Sequence, residues 1–209
     1  EPGPHQRALL RERLAEDKLE TKVQFLETLE QLGQQTGCFF SNELVDAFPV
    51  SAVTRVGGRL KEIYVTAVDR ELREKTGANS STEVAAYVAR YAKGIEEGHR
   101  VEANLRAAQW IRTITEKLAR GFVITIDYGD LAPNLFTPDR PQGTLMSYRQ
   151  HVAMEDLYSA PGEQDLTAHV NFSALIDAGR EVGLDLTGFT TQERFLLALG
   201  EENEFGDLY

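Results

Sequence analysis

Two short acidic stretches carry the side chains best suited to chemistry. In SNELVDAF, residues 41–48, Asn42, Glu43 and Asp46 follow the apolar run Cys38-Phe39-Phe40. In GFVITIDYGD, residues 121–130, Asp127, Tyr128 and Gly129 follow the run Phe122 to Ile126. Glu1 opens the chain, just ahead of a turn and a helical pattern. A carboxylate past the end of a buried strand can accept hydrogen bonds from ribose hydroxyls or from an amino group. In open α/β sheets, ligands gather outside the carboxyl ends of the strands. Gly129 would let a backbone or a ligand approach closely. The same acids could equally cap the helices that follow them.

A second polar group lies in GTLMSYRQH and PGEQDLTAHVNF, residues 143–151 and 161–172. It offers Tyr148, Arg149, His151, Asp165, Thr167, His169 and Asn171 to a polar pocket. Arg149 and Asp165 could instead simply pair, and the two histidines could be satisfied structural groups. The spacing fits no established zinc pattern and the chain has one cysteine, so no metal site is expected. The chain contains no G-x-S-x-G elbow, no phosphate-binding G-x-x-x-x-G-K-[ST] loop and no G-x-G-x-x-G fingerprint.

The elements needed to position these groups can be read from periodicity. Residues 5–16 and 20–34 carry helical spacing, the second through Val23, Leu26, Leu29 and Leu32. Cys38-Phe39-Phe40 reads as a short buried strand, with Cys38 as buried filler. Residues 50–56 and 60–68 alternate as a hairpin around Gly57-Gly58. ELREKTGANSST reads as a polar loop, after which Ser81 or Thr82 caps a helix over about 83–94. His99 to Ala103 is a short strand and Asn104 to Ala119 a helix. GFVITID then reads as a central strand buried on both faces. A Pro-rich excursion follows over 130–143, then short strands and loops over 144–171. A helix over Phe172–Glu181, a strand over Asp185–Thr190 and a helix over Gln192–Leu199 complete the chain. Strands alternating with helices point to an α/β fold with a largely parallel sheet.

Bulk properties narrow the function. At 209 residues the chain makes one large domain or two small ones. A net charge of −11 makes it a poor binder of phosphate backbones, so no nucleic-acid partner is expected. Cationic partners, such as basic peptides or an onium cofactor, suit it better. No apolar run approaches the length of a membrane span. The first residues carry no initiator Met and read as the middle of a domain, so an upstream segment is expected.

In this order, SNELVDAFPV, GFVITIDYGD, GTLMSYRQH, PGEQDLTAHVNF and GFTTQERFLLALG resemble the MidA family. These are S-adenosylmethionine-dependent methyltransferases that include a mitochondrial complex I assembly factor with arginine methyltransferase activity. The resemblance runs from Glu1 to about Gly200. It implies a Rossmann-like class I methyltransferase sheet, truncated at its N-terminal side, with inserted hairpin and helical elements over about 50–100. It implies S-adenosyl-L-methionine as cofactor, with Glu1 on the adenosine ribose and Asn42 and Asp127 also at the cofactor. Glu43 and Asp46 become the catalytic acids. Tyr128, Tyr148, Arg149, His151, Asp165 and His169 fall on the substrate side.

The family's T-A-H-V-D-F ends here in Asn171-Phe172, which removes a charge. The glycine-rich turn of the family does not occur in these residues, so the chain reads as the C-terminal part of one methyltransferase domain. On its own it is expected to bind S-adenosylmethionine weakly. The expected partner is a protein substrate, in this family a complex I subunit, in a bacterial cytoplasm or a mitochondrial matrix. A different reading makes the chain a non-catalytic binding or assembly protein, or a dimerisation module, using residues 50–68 and 130–143 to dock a partner or a second copy. A metal-dependent hydrolase built on His151, Asp165 and His169 is the third.

Overall fold

The computed structural model describes residues 3–149, 152–154 and 156–202. In chain order the elements are helix α1 (Pro4–Glu16), strands β1 (Gln35–Asn42), β2 (Ser51–Val56), β3 (Arg59–Val68) and β4 (Glu71–Gly77), and helix α2 (Thr82–Tyr91). Strand β5 (Arg100–Ala103), helix α3 (Leu105–Lys117), strands β6 (Leu118–Ile126) and β7 (Gly129–Asp130), and the short helix α4 (Ala132–Leu135) follow. Strands β8 (Met146–Arg149), β9 (Val152–Met154), β10 (Asp165–Thr167) and β11 (Val170–Asn171) precede helices α5 (Phe172–Glu181) and α6 (Gln192–Glu202).

The fold is α/β. Strands β1 and β6 pair in parallel over their whole length, from Gln35 opposite Leu118 to Asn42 opposite Ile126. β11 pairs in parallel with β7. The residues inserted between β1 and α3 build an antiparallel sheet in the order β4-β3-β2-β5, and a smaller antiparallel sheet has the order β10-β8-β9. Helices α3 and α5 pack on one face of the β1–β6 pair. There Val45, Ala107, Ile111, Ile114, Val170 and Leu175 form a core, with Phe39 and Val123 against it. Helix α2 lies on the antiparallel sheet over a second core of Val53, Val84, Val88, Val101 and Ala103.

Several expectations are met. The hairpin turns at Gly57 and Gly58, whose φ angles of +57° and +72° suit a two-residue turn of the primed kind. Ser81 caps α2, its hydroxyl accepting the N–H of Val84. Others are corrected. The polar stretch 71–77 is a strand, because Asp69 and Arg70 adopt φ of +50° and +68° and close a second two-residue hairpin without glycine. Residues 20–34 form two single 3₁₀ turns, Glu20–Lys22 and Leu29–Gln31, rather than a helix. A helix is held mainly by packing of its apolar face, and of that stripe only Leu29 packs against a core cluster. Residues 185–190 carry no ladder partner and are not a strand.

β6 is not buried on both faces. Phe122 on β6 and Phe40 on β1 are 60% and 64% exposed, and Cys38, the partner of Phe122 in the ladder, is exposed rather than buried. The far face of the β1–β6 pair therefore carries apolar side chains that no described residue covers. Among the described residues no helix is long and apolar enough to cross a membrane.

Candidate active site

The site is built where β1 and β6 stop together. The chain leaving β1 turns at Glu43, which has φ +47° and donates its N–H to the Ile126 carbonyl at 2.9 Å. A left-handed backbone is uncommon for a residue other than glycine. Here it points the next three amides at one carboxylate. Asp127 Oδ2 accepts from the N–H groups of Leu44 at 3.2 Å, Val45 at 2.9 Å and Asp46 at 3.4 Å. Its Oδ1 accepts from the N–H of Tyr128 at 2.9 Å. Successive N–H groups converging this way form a nest for an anion. Here the anion is the side chain that follows the neighbouring strand.

A second brace comes from α3. Asn104 donates from Nδ2 to the Val45 carbonyl at 3.2 Å, while its Oδ1 caps the helix by accepting the Ala107 N–H at 2.9 Å. The result is a rigid acidic turn. Asp46 within it is 6% exposed, and its Oδ1 has no hydrogen-bond partner among the described residues. Burial, then the charges of Asp127 and Glu43, push its carboxyl up to about 6. Burial also raises Asp127, against the pull of the amides that surround it. Glu43 and Asn42 lie exposed beside them. Such a rim attracts cations, and Asp46 is poised to take or release a proton near neutral pH.

Tyr128 is exposed, and its carbonyl accepts the Val170 N–H at 2.7 Å. Gly129 is required by the strand beside it: a Cβ there would lie 2.1 Å from the Val170 carbonyl oxygen. The close approach permitted by this glycine is thus made by backbone. Val170 and Asn171 continue into α5, which Asn171 caps through its Oδ1 on the Ala174 N–H. Its Nδ2 donates to the Tyr87 hydroxyl at 2.9 Å. Both ends of the amide are therefore in use.

The remaining residues form an adjoining wall. Tyr148 stands opposite Asp165 in the β8–β10 ladder. Arg149 pairs with Glu163 rather than with Asp165. His169 is half-buried, and burial followed by the charge of Arg140 holds its imidazole below the usual value. The wall is tied to the rim through Ala168, whose N–H donates to the Asp46 carbonyl at 3.0 Å. The structure thus brings Asn42, Glu43, Asp46 and Asp127 to one strand edge and attaches His169 to it. Tyr148, Arg149 and Asp165 stay on the antiparallel wall. Glu1 and His151 lie outside the described residues. No group of three or more His, Cys, Asp or Glu among the described residues could hold a metal ion. Asn104 was visible in the sequence only as the start of a helix, and its second bond, to Val45, leaves no local trace.

An acidic rim at the carboxyl ends of parallel strands is the arrangement of a ligand-binding α/β domain. Over residues 1–190 the chain matches a family described as "Putative S-adenosyl-L-methionine-dependent methyltransferase". It belongs to that family. A solved COG1565 superfamily member from Burkholderia thailandensis, bound to S-adenosyl-homocysteine, superposes with a TM-score of 0.88 at 34% identity, covering 99% of this chain and 53% of that one. A native structure of an uncharacterised COG1565 superfamily protein from the same organism gives a TM-score of 0.86 at 35% identity, covering 96% of this chain and 54% of that one. The chain therefore spans about half the length of these solved relatives. No curated protein matches it.

Proposed function

We propose that the whole protein transfers a methyl group from S-adenosyl-L-methionine to an arginine side chain of a protein. In this reading the 209 residues are the C-terminal part of the methyltransferase domain, with residues 50–100 as a family-specific insertion. The observation that carries the proposal is Asp46: a buried carboxyl raised to about 6, with one oxygen free, at the end of two parallel strands. Family membership and the S-adenosyl-homocysteine held by the Burkholderia relative support the choice of donor. The residues present fit that donor, since a negative rim suits a sulfonium cation.

When bound, the donor supplies an electrophilic methyl on sulfur, which leaves as a neutral thioether once the new N–C bond forms. This chain's residues position the acceptor and manage its proton. A guanidinium is always protonated in water, so one N–H proton must go as the methyl arrives. The free Asp46 Oδ1 receives it. Glu43, at the mouth of the rim, orients the guanidinium through charge-assisted hydrogen bonds. Asp127 keeps the turn that carries both acids in shape, and Asn42 reaches toward the donor. Tyr128, Tyr148, Arg149, Asp165 and His169 line the acceptor side. The MidA-type reading extends this to a subunit of respiratory complex I as acceptor, in a bacterial cytoplasm or a mitochondrial matrix.

The test uses the whole protein, with tritiated S-adenosylmethionine and an arginine-rich acceptor such as protamine. Methylated arginine should form, and Glu43→Gln should lower turnover at least about tenfold, or 1.4 kcal/mol of barrier. Wild-type turnover in Glu43→Gln removes that residue's role. Label on another residue type removes the arginine assignment.

A further inference from the structure

Glu102 lies in the middle of β5 and is 5% exposed. Neighbouring residues of a strand face opposite ways. Val101 and Ala103 face the α2 core, so Glu102 faces the other side, toward residues 143–145. Arg100, two residues back, gives its guanidinium to Glu74 at 2.8 and 3.2 Å. Glu102 is thus a desolvated acid with no ion pair among the described residues, an expensive group to bury without a task. Its Oε2 accepts from both the N–H and the hydroxyl of Thr144, each at 3.0 Å. The Thr144 oxygen in turn accepts the His169 N–H at 3.1 Å. A hydroxyl that donates to the acid and accepts from the amide is held in one orientation. Gly143 makes the room: a Cβ there would lie 2.1 Å from Glu102 Oε1, and its φ is +73°.

One residue before His169, Ala168 donates to the Asp46 carbonyl. Two successive peptide units are therefore held from two sides, Thr167–Ala168 by the acid rim and Ala168–His169 by Glu102 through Thr144. We propose that Glu102 is a positioning residue which, through the Thr144 hydroxyl, fixes the Ala168–His169 peptide and the His169 imidazole against the Asp46 turn on the acceptor side. The role in catalysis rests on the methyl-transfer reading; the positioning does not.

The experiment follows His169 by NMR in the whole protein carrying ¹⁵N-labelled histidine, together with calorimetric titration of S-adenosyl-homocysteine. Thr144→Val keeps the side-chain shape and removes the hydroxyl. His169 then loses its anchor, moves toward water, and titrates about half a pH unit higher. Thr144→Ser restores the wild-type titration. Glu102→Gln, whose amide oxygen can take both Thr144 donors, stays close to wild type, whereas Glu102→Met behaves like Thr144→Val. Affinity for S-adenosyl-homocysteine stays within about twofold throughout, since the donor side is not touched. If Glu102→Met does not fold, the two Thr144 variants decide. An unmoved His169 titration in Thr144→Val overturns the positioning role. Failure of the wild-type protein to bind S-adenosyl-homocysteine defeats the methyl-transfer reading and leaves the positioning result standing.

Discussion

Asp127 both builds the turn that holds Asp46 and raises the proton affinity of its carboxyl. The two acids follow the ends of neighbouring parallel strands, Asp46 in the turn after β1 and Asp127 just past β6, and the Asp46 N–H donates to Asp127 Oδ2. The charge of Asp127 is the largest influence on Asp46 after burial. One residue therefore supplies geometry and protonation state together.

Stability should carry the signature of that arrangement. The folded carboxyl of Asp46 holds its proton up to about 6, against an ordinary value of 3.8. Between those values the folded state binds more proton than the unfolded one, so this group's contribution falls as pH rises. The loss amounts to about 2–3 kcal/mol. Asp46→Asn cannot ionise, so its stability relative to wild type should increase from pH 4 to pH 6.5. Urea unfolding of both proteins across that range reads the difference directly, and a flat difference would refute the raised carboxyl.

Asp127→Ala leaves the amides of Leu44, Val45 and Asp46 without their acceptor. The expected loss is about 2–4 kcal/mol, because donors left unpaired cost more than a hydrogen bond contributes. Asp127→Asn, which keeps an acceptor oxygen, should lose less and should return the Asp46 carboxyl toward its ordinary range. Thermal unfolding checks the first and NMR titration of Asp46 the second.

Gly129→Ala should be among the most damaging single changes in the chain. The added methyl meets the Val170 carbonyl oxygen at 2.1 Å and its carbonyl carbon at 2.8 Å. Backbone cannot swing aside as a flexible side chain would. Separation of β7 from β11 and a loss of about 3 kcal/mol or more are expected. A drop of less than about 1 kcal/mol in chemical unfolding would show that the strands can part cheaply.

Asn104→Ala removes a helix cap and a bond to the rim at once. The cap alone is worth about 1 kcal/mol. The Val45 carbonyl keeps the Phe48 N–H as a partner, so losing its second bond adds only about 0.5–1 kcal/mol. Asn104→Asp keeps the cap but cannot donate to Val45, so its measured loss should fall between wild type and alanine.

How far the sequence could be read depended on whether a feature was local. The Gly57-Gly58 hairpin, the Ser81 cap and the apolar run of β6 were legible because their signals lie within a few residues. The acids at 42–46 and 127 were legible as groups at strand ends. That Asp127 would be spent on amides from a turn more than 80 positions away had no local sign. The Asp69-Arg70 turn was missed because Arg70 takes a left-handed backbone at the position where such turns normally carry glycine. Residues 20–34 show the converse failure, a helical stripe without a surface to receive it. Glu102 passed unread because an acid in a short strand is ordinary until its burial is known.

The open face of the β1–β6 pair has a practical corollary. Cys38 is the chain's single cysteine, and its thiol is exposed on the strand that also presents Phe40. Whatever settles on those aromatic rings must shield that sulfur as well. The speed at which a maleimide dye attaches therefore becomes a gauge, native to the chain and needing no engineered label site, of whether this surface is covered.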